Sequence, residues 1–156
     1  MATQIDFRAA VYGTVSIGAL LAAESAKQET YAATFGAVAL TLLLYVLIHS
    51  YSDYSAERLD EGEPLELAGL GRTILLESWL LVGAGVPLIA LVISWLLGAS
   101  LSTAVTVAVW TSAAMVVILE LVSGLRAGET GRDLAMQIGI GALFGVMVIL
   151  LRIVLH

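Results

Sequence analysis

The sequence predicts an all-α, polytopic membrane protein: five transmembrane helices in one bundle. Three observations predict it. Of the 156 residues, 60% are hydrophobic and only 13% are charged, with a mean hydropathy of +0.98, far from the average of soluble domains. The apolar residues come in runs close to the length that a membrane span needs. No polar segment between the runs is long enough for a second domain, so residues 1–156 read as a single membrane domain.

The first run covers residues 9–23, after Arg8 and before Glu24. One basic residue, a short apolar stretch and small residues near its end are features of a signal peptide. Asp6 offsets Arg8, however, and the segment is read here as a first span. Gly13 and Gly18 weaken its helix propensity and permit close packing. After a polar connection, the second span covers residues 31–55. Its last third turns polar through His49, Ser50, Tyr51, Ser52, Asp53 and Tyr54, which mere passage through lipid would not require.

Residues 56–71 are expected to form a short acidic cytoplasmic loop, with Glu57, Asp60, Glu61, Glu63 and Glu66 against Arg58, broken by Gly62 and Pro64. The third span covers residues 72–97, with Glu77 just inside it. Pro87, after Gly83 and Gly85, predicts a kink or local unwinding at mid-span, a place where the helix would flex between access states. A turn at residues 98–100 makes spans three and four antiparallel neighbours. The fourth span covers residues 101–123 and carries Glu120 near its end. A glycine-broken loop then leads to the fifth, residues 133–155. There Gly141 and Gly145 form a GxxxG pair, read as helix-packing positions.

Five spans place the termini on opposite sides. Arg8, Arg58, Arg72, Arg126 and Arg132 flank one side; Lys27 and Arg152 flank the other. The positive-inside rule then puts the amino terminus in the cytoplasm and the carboxyl terminus outside, in a multi-pass protein of the plasma membrane.

His49 and Asp53 stand four positions apart, so a helix presents both on one face with Tyr45 one turn earlier. Ionisable side chains at membrane depth are costly and face a bundle interior or a water-filled path. In the expected topology His49, Asp53, Glu77, Glu120, Asp133 and Gln137 lie at similar depth near the cytoplasmic mouth, with Glu24 on the outer side. Imidazole and oxygen ligands on converging helices suit a divalent cation or a proton relay. The expected metal site is His49, Asp53, Glu77 and Glu120. Structural roles compete with it: Glu77 can pair with Arg72, Glu120 with Arg126 or Arg132, and Asp133 can serve as a first-turn acid. His49 can be a hydrogen-bonded bundle histidine. Tyr51, Tyr54 and Trp79 read as interface-belt aromatics.

Several classes are excluded. The chain has no cysteine, so it forms no disulfide, thiolate metal site or cysteine nucleophile. A net charge of −6 argues against nucleic acid as a partner and against polybasic lipid clamping. There is no Walker loop, dinucleotide fingerprint, HExxH or nucleophile elbow, so no enzyme and no ATP-driven pump is expected. No resident cofactor is expected either.

Three stretches carry a resemblance. Residues 8–20, RAAVYGTVSIGAL, are similar to an opening span in which an arginine and an apolar–aromatic–glycine step precede an Asn-Asp-Gly motif. Residues 52–58, SDYSAER, resemble a Gly-Glu-Tyr stretch at the end of a second span. Residues 131–151, GRDLAMQIGIGALFGVMVILL, resemble a last span with arginine, glutamine and a glycine-rich start. Together they resemble the vacuolar iron transporter family, also called CCC1-like, and its nodulin-like relatives, which lack the metal-binding domain between spans two and three. The resemblance implies a dimeric carrier of iron(II) or manganese(II) that exchanges for protons. Asp53 stands at the position of the family's glutamate, and Ser16 stands near that of its opening-span aspartate. The expected function is a small secondary transporter for a divalent metal cation of the iron and manganese class, with proton coupling. The expected partners are the lipid bilayer and a second copy of the chain. A non-transporting scaffold or accessory subunit, packing through the glycine-rich fifth span, is the alternative. A proton or cation channel is a third, weaker option.

Overall fold

A computed structural model describes residues 7–23, 30–62, 64, 66–76 and 78–155. Among them there are six helices and no strand: α1 (Phe7–Ala23), α2 (Tyr31–Glu61), α3 (Leu67–Leu76), α4 (Ser78–Leu96), α5 (Leu101–Arg126) and α6 (Gly131–Leu155). Helices α2, α4, α5 and α6 each contain a stretch long and apolar enough to cross a membrane. Their outer faces expose leucine, isoleucine and valine side chains, among them Leu43, Ile89, Ile118 and Leu150. This is an all-helical membrane protein whose polypeptide leaves an apolar belt for lipid.

The expected count of five spans is corrected to four helices of spanning length. Helix α1 has 17 residues, about 25 Å of helix against about 30 Å of hydrocarbon. Its position explains why it tolerates that length. It touches α2, α4, α5 and α6, and Ile17, Leu21 and Ala22 on it are fully buried. Protein, more than lipid, surrounds it.

The tightest crossing in the molecule joins α1 to α4. A Cβ added at Gly13 would collide with the Leu80 carbonyl, and one at Gly83 with the Ala10 carbonyl. Two backbones therefore meet where neither has a side chain. Pro87 lies inside α4, which continues through it without a break, contrary to the expected unwinding. A proline removes the N–H that would bond the carbonyl four residues earlier, here Gly83. The Thr14 hydroxyl supplies a replacement: it donates to the Gly83 carbonyl at 2.9 Å and shares its proton with Ala10 O at 2.8 Å. Thr14→Val keeps the shape and leaves the Gly83 carbonyl orphaned. It is expected to cost about 1–2 kcal/mol, read as a lowered thermal midpoint in detergent.

Helix α5 closes on α1 and α6. Gly18 makes room for Ser112, whose Oγ donates to the Thr14 carbonyl at 2.5 Å. On α6, Gly145 faces Ala113 and Gly141 faces Glu120, both on α5. The GxxxG face therefore lies against a neighbouring helix of the same chain.

Helix α2 is attached differently. Its buried residues are Thr34, Val38, Leu42, Val46 and Ser50, one narrow stripe at four-residue spacing. Thr30 caps its start through Ala33 N–H, and the Tyr31 hydroxyl donates to Ala99 O at 2.6 Å. At 31 residues the helix is about 46 Å long, longer than the roughly 30 Å of hydrocarbon. The expected loop at residues 56–71 is consequently corrected to a turn between α2 and α3. Gly62 ends α2 with φ 70° and bonds back to Arg58 O, the left-handed cap that glycine favours. Tyr54 then pins α3: its hydroxyl accepts the Glu66 N–H at 2.8 Å, and its ring occupies the space where a Gly69 side chain would be. Tyr54, read from the sequence as a belt aromatic, thus clasps α2 to α3. The expected third span begins on α3 and continues on α4; residue 77 between them lies outside the described residues.

Candidate functional site

Contacts between the helices fix which ends lie together. Phe7 at the start of α1 carries the Arg126 guanidinium from the end of α5 over its ring, at 5.2 Å. Tyr12 on α1 meets Tyr45 and His49 on the second half of α2. Gln137 near the start of α6 meets Glu120 near the end of α5. One end of the bundle therefore gathers most of the polar groups expected there.

Two small constellations stand at that end. The first is on α2, where His49 Nε2 lies 3.5 Å from Asp53 Oδ2; the side chains are 42% and 52% exposed. This is the i, i+4 geometry that the spacing predicts. Tyr45 stacks on His49 with centroids 5.6 Å apart, and Tyr12 reaches across from α1 to lie 5.2 Å from Tyr45 and 6.3 Å from His49. The imidazole thus has aromatic faces on one side and a carboxylate on the other.

The second centres on Glu120. Its Oε2 accepts from Gln137 Nε2 at 2.9 Å. Among the described residues no arginine, lysine or histidine pairs with it. Arg126, an expected partner, lies over Phe7 instead, and Arg132 is exposed at the first turn of α6. The absence of a side chain at Gly141 admits the stem of Glu120: a Cβ there would lie 2.7 Å from Glu120 Cγ. Glu120 and Ser123 supply the polar part of a cleft of about 430 Å³ between α1, α5 and α6, whose walls are otherwise apolar and include Phe7, Tyr12 and Phe144.

The four expected metal ligands are thus divided. His49 and Asp53 are together. Glu120 stands with Gln137, and Glu77 lies outside the described residues, as does Glu24. Among the described residues no three histidine, aspartate or glutamate side chains converge on a point that an ion could occupy. Asp133 is an exposed acid in the first turn of α6, where it favours the positive end of the helix dipole. Trp79, an expected belt aromatic, packs partly buried against the core.

Tyr12 is the residue that the sequence did not single out. It stacks against the His49 group and also lines the Glu120 cleft, so it borders both constellations. An aromatic residue one step before Gly13 was the available signal, because the glycine is what brings α1 close to its neighbours. Chemically, the imidazole–carboxylate pair can hold and release a proton or face a partly hydrated cation. A carboxylate in a largely apolar cleft, with no cationic partner among the described residues, attracts positive charge.

No protein-family model matches the chain, and no curated protein or solved structure matches it.

Proposed function

We propose that the protein is a small secondary transporter that moves a cation in exchange for protons, of the class carried out by the vacuolar iron transporters it resembles. One observation carries this reading: Tyr12 borders two acid-bearing groups, stacking on His49 of the His49–Asp53 pair and lining the cleft of Glu120. A bundle that only had to hold together would have little use for two such groups at one end, since ionisable side chains at membrane depth are costly. A carrier needs them, because cation release is driven by protonation of the same oxygens or nitrogen that held the cation.

The divalent-metal form of this proposal engages His49 and Asp53. Two protein ligands leave the rest of the coordination shell to water, as octahedral oxygen-preferring cations accept, and the imidazole tilts the choice toward manganese, iron or zinc. Manganese(II) uptake into proteoliposomes tests it. Asp53→Asn and His49→Ala are each expected to lower uptake about tenfold, as when a charge pairing with the substrate is lost. Uptake equal to the parent's in both variants would remove the carrier reading.

The scaffold reading finds less support. A partner helix seated on Gly141 and Gly145 would have to displace α5, which already occupies that face. A homodimer, as the resemblance implies, would meet through other surfaces.

A further inference from the structure

The Glu120 cleft has a chemical character of its own. Its walls are Phe7, Val11, Tyr12 and Phe144, with Ser123 and Glu120 as the polar contribution. Its volume, about 430 Å³, falls in the range of small-molecule sites. Glu120 is the one charged side chain on its wall among the described residues. Gln137 holds one carboxylate oxygen, Oε2, and fixes the direction of the group. A hydrated metal ion is poorly suited to these surroundings: it asks for about six oxygen ligands, and the walls offer apolar carbon. An anion is repelled. An apolar neutral molecule would leave the carboxylate unmatched in a poorly solvated place. What satisfies both the walls and the charge is a molecule with an apolar body and a single diffuse positive charge. Its body packs on Val11 and Phe7, and its charge lies between the carboxylate and the aromatic surfaces of Tyr12 and Phe144.

We propose that this cleft binds a hydrophobic organic monocation, a quaternary ammonium or phosphonium in chemical type, with Glu120 as its counter-ion. This goes beyond the carrier proposal, whose metal form engages His49 and Asp53, and binding is measured apart from flux. Binding without flux would leave the cleft standing and remove the carrier.

A second cleft of about 400 Å³ lies between α2 and α4 at the other end, lined by Tyr31, Phe35 and Trp95 and, among the described residues, by no charged side chain. It serves as an internal control, since cations that enter lipid-like grooves by hydrophobicity alone would not depend on Glu120.

Equilibrium dialysis of tetraphenylphosphonium against the purified full chain in a neutral maltoside detergent tests the proposal. One saturable site per chain is expected. Glu120→Gln, which keeps the volume and the bond to Gln137, is expected to weaken it about tenfold or more, the scale of a lost charge pairing beside aromatic faces. Phe144→Ala, on a half-exposed position away from the α1–α4 crossing, is expected to weaken it several-fold and reports on the cleft if Glu120→Gln does not fold. Tetraphenylborate, the same shape with opposite charge, should not compete. Undiminished binding in a folded Glu120→Gln variant, equal competition by the borate, or displacement by manganese(II) would each overturn the assignment. Addition of phosphatidylethanolamine separates a free cation from a lipid amine: loss of phosphonium binding would give the cleft to the headgroup and overturn the free-cation proposal.

Discussion

Gly83→Leu is expected to leave no correctly assembled protein, whereas Gly85→Leu, two positions along the same helix, should melt like the parent. At Gly83 the added carbon meets the Ala10 backbone carbonyl; at Gly85 nothing lies within 4 Å. A backbone cannot turn aside as a side chain can, so α1 and α4 would have to separate. Separation also withdraws Thr14 from the carbonyl that Pro87 leaves without a donor. Overpacking alone costs about 1–3 kcal/mol, and the lost hydrogen bond adds about 1 kcal/mol or more. Against a marginal total stability this is enough to unfold many domains. Size-exclusion profiles and thermal melts of the two variants in detergent make the comparison. A Gly83→Leu protein that elutes and melts like Gly85→Leu would show that the two helices do not cross as described.

The second large effect is expected at Gly141. Gly141→Leu puts a side chain where the Glu120 stem now lies, 2.7 Å from Cγ, while Gly139 has nothing within 4 Å. Glu120 is a flexible side chain and can yield, so the bundle should survive with a loss of about 1–3 kcal/mol. The cost falls on the site. A displaced Glu120 leaves Gln137 and enters the cleft that it now borders. Phosphonium binding should therefore fall about tenfold or more in Gly141→Leu and stay at the parent's level in Gly139→Leu. Equal behaviour of the two variants would detach the glycine from the site.

Much of this was legible in the sequence because lipid imposes simple rules. Composition alone fixed the all-helical class, and span-length apolar runs located α5 and α6 within a few residues. The spacing of His49 and Asp53 predicted their pairing, since i, i+4 neighbours on one helix need no tertiary information. What failed needed information from a second helix. The run at residues 9–23 looked like one span among five, and its central position comes from Gly13 and Gly18 meeting particular partners. Local unwinding was expected at Pro87 because the hydroxyl that answers its missing N–H is 69 residues away. Arg126 looked like a partner for Glu120, but Phe7 and Gln137 took the two roles. The expected metal site drew on helix depth. Depth fixes a height along the membrane normal and leaves the angle around the bundle open, so His49–Asp53 and Glu120 can share a level without sharing a site.

The threonine that answers the proline has a mechanical consequence. Prolines in spans are often places where a helix yields, but here α4 is stitched to α1 at the very carbonyl that would otherwise be loose. Helices α1 and α4 then act as one stiff beam. Helix α2, by contrast, buries a single narrow stripe and carries His49 and Asp53; Tyr12, on the beam, is where that arm rests against it.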